Sequence, residues 1–260
     1  MIFDTHAHYT DGRFDSDRDA LLSSMRGKGV GLIMTLGDNL KESRAALEIA
    51  RRYPFVYAGV GVHPSDIAEL DDEKLDALRS LAADEKVKCI GEIGLDYYWN
   101  DNAPREVQMN GLRRQMALAR SLSLPVVIHD REAHADSMSI VREFPDVRGE
   151  FHCYSGAAED AKELVKRGWY LGFGGATTYK NARRALEVIA AVPLERILVE
   201  TDCPYLAPEP FRGRRNDSSL VSEVVKKIAE VRGLSADEVE RATYENGKRF
   251  FNIDDRGRLK

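Results

Sequence analysis

The residues of this chain that could do chemistry sit at the ends of apolar runs. His6 and His8 close Ile2-Phe3-Asp4-Thr5-His6-Ala7-His8, and His63 follows Val62 just before Pro64. Glu92 lies in Gly91-Glu92-Ile93-Gly94-Leu95-Asp96, His129 ends Val127-Ile128-His129, and His152 ends Glu150-Phe151-His152. Asp202 ends Leu198-Val199-Glu200-Thr201-Asp202. Imidazoles and carboxylates are costly inside a protein unless they are paired or ligated. One strand-end histidine alone reads as a hydrogen-bonded structural residue. The full set reads as a metal centre.

Those runs belong to an alternation that spans the chain. Apolar, β-branched segments fall at 2–8, 29–36, 56–63, 88–95, 125–129, 147–153, 169–176 and 197–203. Between them, 41–52, 72–83, 105–123, 157–167 and 181–191 have the period of amphipathic helices. Gly27, Gly29 and Gly168 mark helix ends, and Pro104 suits a first helical turn. An irregular stretch follows the eighth strand, from Pro204 to Asn216, and then two final helices. The second opens on a capping box, Ser235 to Glu238. Eight strands alternating with helices predict a single α/β domain over 1–260, a (β/α)8 TIM barrel.

In such a barrel, active sites form at the carboxyl ends of the strands, with several strands giving one residue each. Residues two apart on a strand share a face, so His6 and His8 can grip one ion, and Glu200 lies on the side of Asp202. Nitrogen and oxygen donors together suit Zn, Mn, Fe or Mg. Four histidines and two carboxylates exceed one tetrahedral site, and two ions about 3.5–4 Å apart with a bridging carboxylate fit better.

His63 reads as a substrate contact or as support for the ligands. His134, at the start of a helix, has no partner at strand spacing and receives no role. Alternation turns Cys153 and Cys203 away from the ligands, as small core residues. Tyr97, Tyr98 and Trp99 follow the fourth strand, where substrate stacking and lid packing are equally open.

Composition narrows the class. A net charge of −5 argues against tight non-specific binding to a polyanion, which needs many Lys and Arg to release counterions. It leaves open a nucleic acid held through divalent cations. Three cysteines, an odd number, point to a reducing compartment. There is no signal-peptide pattern and no run of roughly 20 apolar residues, so a cytoplasmic protein is expected, with no obligate protein partner evident.

The segments Phe3–His8, Val60–Pro64, Gly91–Tyr97, Ile128–Ala133, His152–Gly156, Leu198–Leu206 and Arg212–Asn216, with Asn246, resemble the TatD family of metal-dependent deoxyribonucleases, in the amidohydrolase superfamily. The resemblance covers the whole chain. One departure is Asp217-Ser218, where the family pattern has Glu-Pro after the asparagine. It implies two divalent ions, Mg, Mn or Zn, with His6, His8 and Asp202 on one, His129 and His152 on the other, and Glu92 bridging. It further implies hydrolysis of DNA phosphodiesters at single-stranded or frayed ends, by a water whose pKa the ions lower and whose proton Asp202 accepts. Glu92 and Asp202 are then the catalytic carboxylates. His63, Arg131, Arg214 and Asn216 are candidates for substrate contact, since guanidinium matches phosphate bidentately. The rival readings are hydrolysis of another ester or amide at the same site, such as a lactone or a D-aminoacyl-tRNA, and a non-catalytic metal-binding accessory.

Overall fold

Alternating apolar and amphipathic segments wind into an eight-stranded parallel barrel in the computed structural model, which describes residues 1–254. Residues 255–260 of the expected domain lie outside the described residues. The strands are β1 (Ile2–Ala7), β2 (Val30–Leu36), β3 (Val56–Val60), β4 (Val87–Asp96), β5 (Val126–Arg131), β6 (Gly149–Phe151), β7 (Tyr170–Phe173) and β8 (Ile197–Val199). Each pairs in parallel with the next in chain order. β1 and β2 are buried along their whole length and the other strands nearly so, apart from the carboxyl end of β5, which is why the strands read as near-continuous apolar runs.

Closure between β8 and β1 is thinner. A bridge joins Ala7 to Cys203. The His8 N–H donates to the Cys203 carbonyl at 2.7 Å and the Asp202 N–H to the His6 carbonyl at 2.9 Å. Asp4 strengthens this seam, accepting from the Thr201 N–H at 2.9 Å and from the Thr201 hydroxyl at 2.7 Å. Burial pushes the Asp4 carboxyl up to about 7 in spite of those bonds.

Several strands are shorter than their apolar runs. The chain leaves the ladder where side chains or left-handed residues take over its hydrogen bonding. After β3, the Val62 N–H donates to Gln115 Oε1 and the Gly61 carbonyl accepts from Ser43. After β6 and β8, Cys153 (φ 43°) and Asp202 (φ 55°) turn left-handed.

Around the barrel lie α1 (Arg18–Ser24), α2 (Leu40–Arg52), α3 (Asp72–Leu81), α4 (Arg105–Leu122), α5 (His134–Glu143), α6 (Ala158–Lys166), α7 (Arg183–Ala191), α8 (Val221–Arg232) and α9 (Ala236–Phe250). Asn39, Asp71 and Ser235 cap α2, α3 and α9 with side-chain oxygens, and the expected capping box to Glu238 is present. Pro104 is the residue before α4. Gly29, left-handed at φ 86°, ends the turn after α1, whereas Gly27 lies inside that turn. Apolar faces of these helices pack on the strands, with Phe3, Met34, Phe151, Trp169 and Phe250 among the fully buried side chains. Each such side chain contributes roughly 1.5–3 kcal/mol relative to exposure. None of the described helices is long and apolar enough to cross a membrane.

Candidate metal centre

Glu92 stands at the middle of the barrel mouth. Its Oε2 lies 3.1 Å from His6 Nε2 and 3.2 Å from His8 Nε2. Its Oε1 lies 2.8 Å from His129 Nδ1 and 2.9 Å from His152 Nε2. One carboxylate therefore divides its oxygens between two imidazole pairs. Asp202 joins the first pair, with Oδ1 at 3.3 Å from His8 Nε2 and 3.8 Å from His6 Nε2. The two sets are continuous, since the His6 and His152 rings stack at 4.0 Å.

Local structure explains this convergence. β1 delivers His6, with His8 just past its end, β4 delivers Glu92, and β5 delivers His129. His152 and Asp202 come just past the ends of β6 and β8. The left-handed backbone at Asp202 turns its carboxylate over the mouth, and a non-glycine residue in that conformation is strain of the kind found at functional sites.

The donor set fits divalent metal. His6 Nε2 and His8 Nε2 are 3.0 Å apart, and His129 Nδ1 and His152 Nε2 are 3.1 Å apart. Nitrogens bound about 2.0–2.1 Å from a shared zinc lie roughly 3 Å from each other. Of the far nitrogens, His129 Nε2 makes the carboxylate hydrogen bond usual behind a metal ligand. His8 turns Nδ1 towards Asp38 Oδ1 at 3.3 Å, and His129 turns Nε2 towards Asp96 Oδ2 at 3.2 Å. His6 Nδ1, His8 Nδ1 and His152 Nδ1 are buried without a hydrogen bond, though Asp38 Oδ1 approaches the second and Glu200 Oε1 lies 3.9 Å from the third.

Charge in this cluster is shared out unevenly. Burial opposes ionisation of Glu92, yet the His152 and His6 imidazoles hold its carboxyl well below the ordinary range. Burial disfavours charge on His129, but its hydrogen bonds to Asp96 and Glu92 carry it up to about 10. Burial and neighbouring imidazoles bring His6 down to about 4 and His63 to about 3. Asp38 is pushed up to about 7 by burial, against the pull of His8.

Other expected contacts fall differently. His63 joins the rim, with Nε2 3.7 Å from Glu92 Oε1. Arg131 is exposed on the wall of a cleft of about 420 Å³ that opens from His129, His152 and Asp202. Arg214 is exposed but does not line that cleft; from the same loop it is Arg212 that stacks on a lining residue, Tyr179, at 4.3 Å. Asn216 is corrected more fully. It is completely buried, and its amide donates to the Thr201 and Tyr205 carbonyls at 2.9 and 2.7 Å, so it braces the loop instead of facing a ligand. Asp217 explains its departure from the pattern by accepting from the Ser219 N–H at 2.9 Å to cap a short turn.

Cys203 is buried as expected. Cys153 is not a core residue, because β6 has ended and strand alternation no longer applies. It is half-buried, lines the cleft, and clusters with His152 and Glu200. Glu200 is itself fully buried beside Glu150, in space left by Gly172, where a Cβ would come within 2.3 Å of Glu200 Oε2. His134 has partners the sequence did not show, Asp130 and, at 3.4 Å, Asp160.

Comparison with known proteins identifies the family. A family model described as TatD related DNase matches residues 3–252. The chain is 41% identical to the metal-dependent hydrolase YabD of Bacillus subtilis, over 97% of this chain and all of the relative. It is 36% identical to the 3'-5' ssDNA/RNA exonuclease TatD of Cronobacter sakazakii, over 96% of this chain and 97% of that one. The crystal structure of YJJV, a TatD homologue from Escherichia coli, superposes with a TM-score of 0.90 at 31% identity, covering 97% of this chain and 98% of that one. With matches running from the first strand to the last helix, the chain belongs to the TatD-related family of metal-dependent hydrolases.

Proposed function

We propose that this protein is a two-metal phosphodiesterase that shortens single-stranded or frayed DNA from an end. The observation that carries the reading is the division of the Glu92 oxygens between His6/His8 and His129/His152, at the floor of a cleft walled by Arg131. His6, His8 and Asp202 would hold one ion and His129 and His152 the other, with Glu92 on both. Divalent ions there would lower the pKa of a bound water and offset charge on the phosphoryl oxygens.

The remaining work falls to the chain's own side chains. Asp202 is kept ionised: burial opposes this, but the His8 hydrogen bond holds its carboxyl below the ordinary range. It orients the attacking water and accepts its proton. The Ser65 N–H donates to His63 Nδ1 at 3.2 Å, so that nitrogen is an acceptor. Neutral His63 then carries its proton on Nε2, aimed into the mouth as a donor to a phosphoryl oxygen. Arg131 supplies a guanidinium on the cleft wall for a neighbouring phosphate. Activity on single-stranded DNA and RNA is named for the Cronobacter relative and supports the same substrate class here. Three free cysteines and no disulfide among the described residues support a cytoplasmic setting.

The test is end-labelled single-stranded DNA with metal-stripped protein, adding back Mg, Mn or Zn. A ladder shortening from one end, restored by metal and lost in Glu92→Ala/His129→Ala, is the expected result. Equal activity in the variant would mean a contaminant. No cleavage with any metal would overturn the nuclease reading in favour of an ester or amide hydrolase.

A further inference from the structure

Exposed aromatic surface on this molecule is concentrated at the barrel mouth. Tyr98 and Trp99, after β4, are 46% and 52% exposed, and Tyr205 after β8 is 47% exposed. Single exposed apolar residues need no explanation, but a group of them on the rim of a charged cleft marks a binding surface. The Tyr98 and Trp99 rings meet edge to face at 4.9 Å. The Arg131 guanidinium lies 3.9 Å from the centre of the Tyr98 ring and 5.4 Å from that of Trp99. Stacking uses the guanidinium face and leaves its in-plane N–H fork free for an anion.

Charge around the rim is asymmetric. Near β1, Arg13 is tied to Asp11 at 2.8 Å and Arg215 to Asp17 at 2.6 Å. On the β5 to β7 side, Arg131 and Arg184 line the cleft, and neither makes an ion pair among the described residues. Two arginines outside ion pairs, an open cleft and the exposed Tyr98 and Trp99 rings thus lie together on one sector. That combination matches single-stranded nucleic acid, in which phosphates follow cations and unpaired bases offer faces for stacking.

Building on the phosphodiesterase reading, we propose that Trp99, supported by Tyr98, is a base-stacking platform, and that Arg131 and Arg184 lead the backbone from the metal centre along the cleft. Recognition of an unpaired base at this platform makes the preference for single strands a property of the site. Paired bases within a duplex are stacked on one another and cannot reach Trp99.

Tryptophan fluorescence isolates the platform, because Trp169 is 1% exposed and Trp99 is the residue a strand can reach. Metal-loaded protein is titrated with phosphorothioate oligothymidylate and with an abasic strand of equal length. The expected result is quenching by the first and not the second. In steady-state cleavage of the ordinary strands, the wild-type KM should be on the order of tenfold lower with bases than without. Trp99→Leu should close that gap, Trp99→Tyr should keep most of it, and Arg131→Gln should weaken both strands alike. Equal KM values for the two wild-type substrates, or an unchanged gap in Trp99→Leu, would overturn the platform while leaving the nuclease reading intact. If neither strand is cleaved, the nuclease reading fails and quenching decides the platform alone: base-dependent quenching retains it, and its absence removes it.

Discussion

Asp96 Oδ2 lies 3.2 Å from Nε2 of His129, on the side of the ring opposite Glu92. His129 is therefore held between two carboxylates, and only its Nδ1 faces the cluster. A carboxylate behind a ligating imidazole fixes the tautomer and raises its basicity, and losing it typically costs about 10–100-fold in metal affinity. Asp96→Asn is expected to weaken binding by that order, read by chelator competition, while the cluster still forms. Affinity equal to wild type would remove Asp96 from the site.

The same pair sets a pH dependence. In the metal-free protein, burial disfavours charge on His129, but Asp96 and Glu92 carry its pKa from 6.5 up to about 10. A raised folded pKa means that the charged ring stabilises the metal-free fold fully below 6.5 and loses that contribution as pH rises through about 10. Metal needs the nitrogen deprotonated, so binding displaces a proton across this window. Affinity should rise about tenfold per pH unit between roughly pH 7 and 9 for each proton displaced. Calorimetric titration in buffers of different ionisation enthalpy counts the protons. Affinity that is flat with pH would contradict the charged state of His129.

Asn216 and Arg214 separate bracing from contact. The buried Asn216 amide satisfies the Thr201 and Tyr205 carbonyls, and Thr201 in turn holds Asp4 across the barrel seam. Asn216→Ala strands two acceptors and should cost about 2–3 kcal/mol in urea unfolding. Exposed Arg214→Ala should stay within about 0.5 kcal/mol of wild type. A neutral Asn216→Ala would mean that the loop finds other donors.

The barrel and the convergence of six polar residues were legible because both rest on periodicity. Apolar runs mark strands, and residues at their carboxyl ends must meet at one mouth. Alternation from Glu92 through Gly94 also puts Asp96 on the same face, so that partner was within reach of the sequence. Asp38 and Arg212 were not, because their contacts depend on how separate loops fold, and the His134 partners were not, because theirs depend on how α5 and α6 pack beside β5. Cys153 and Asn216 were misread for a related reason. Once Cys153 turns left-handed, strand alternation gives no direction, and a loop asparagine next to arginines looks like a ligand contact until its burial is seen.

Gly94 ties the fold to the site most directly. It lies between Glu92 and Asp96 on β4 and is paired with His129 on β5. A Cβ there would come 1.9 Å from the His129 carbonyl oxygen and 2.8 Å from its nitrogen. Both contacts are with backbone, so no side-chain rotation relieves them, and the two strands must separate. That separation would move His129 away from Glu92 and Asp96 together. Gly94→Ala should therefore cost on the order of 3 kcal/mol in stability and also lose metal. Gly27→Ala is the control, since nothing lies within 4 Å of its added Cβ, and it should unfold like wild type or slightly later. Metal content and urea midpoint are measured on both variants. If Gly94→Ala loses stability but keeps its full metal complement, the distance between these strands does not govern the centre.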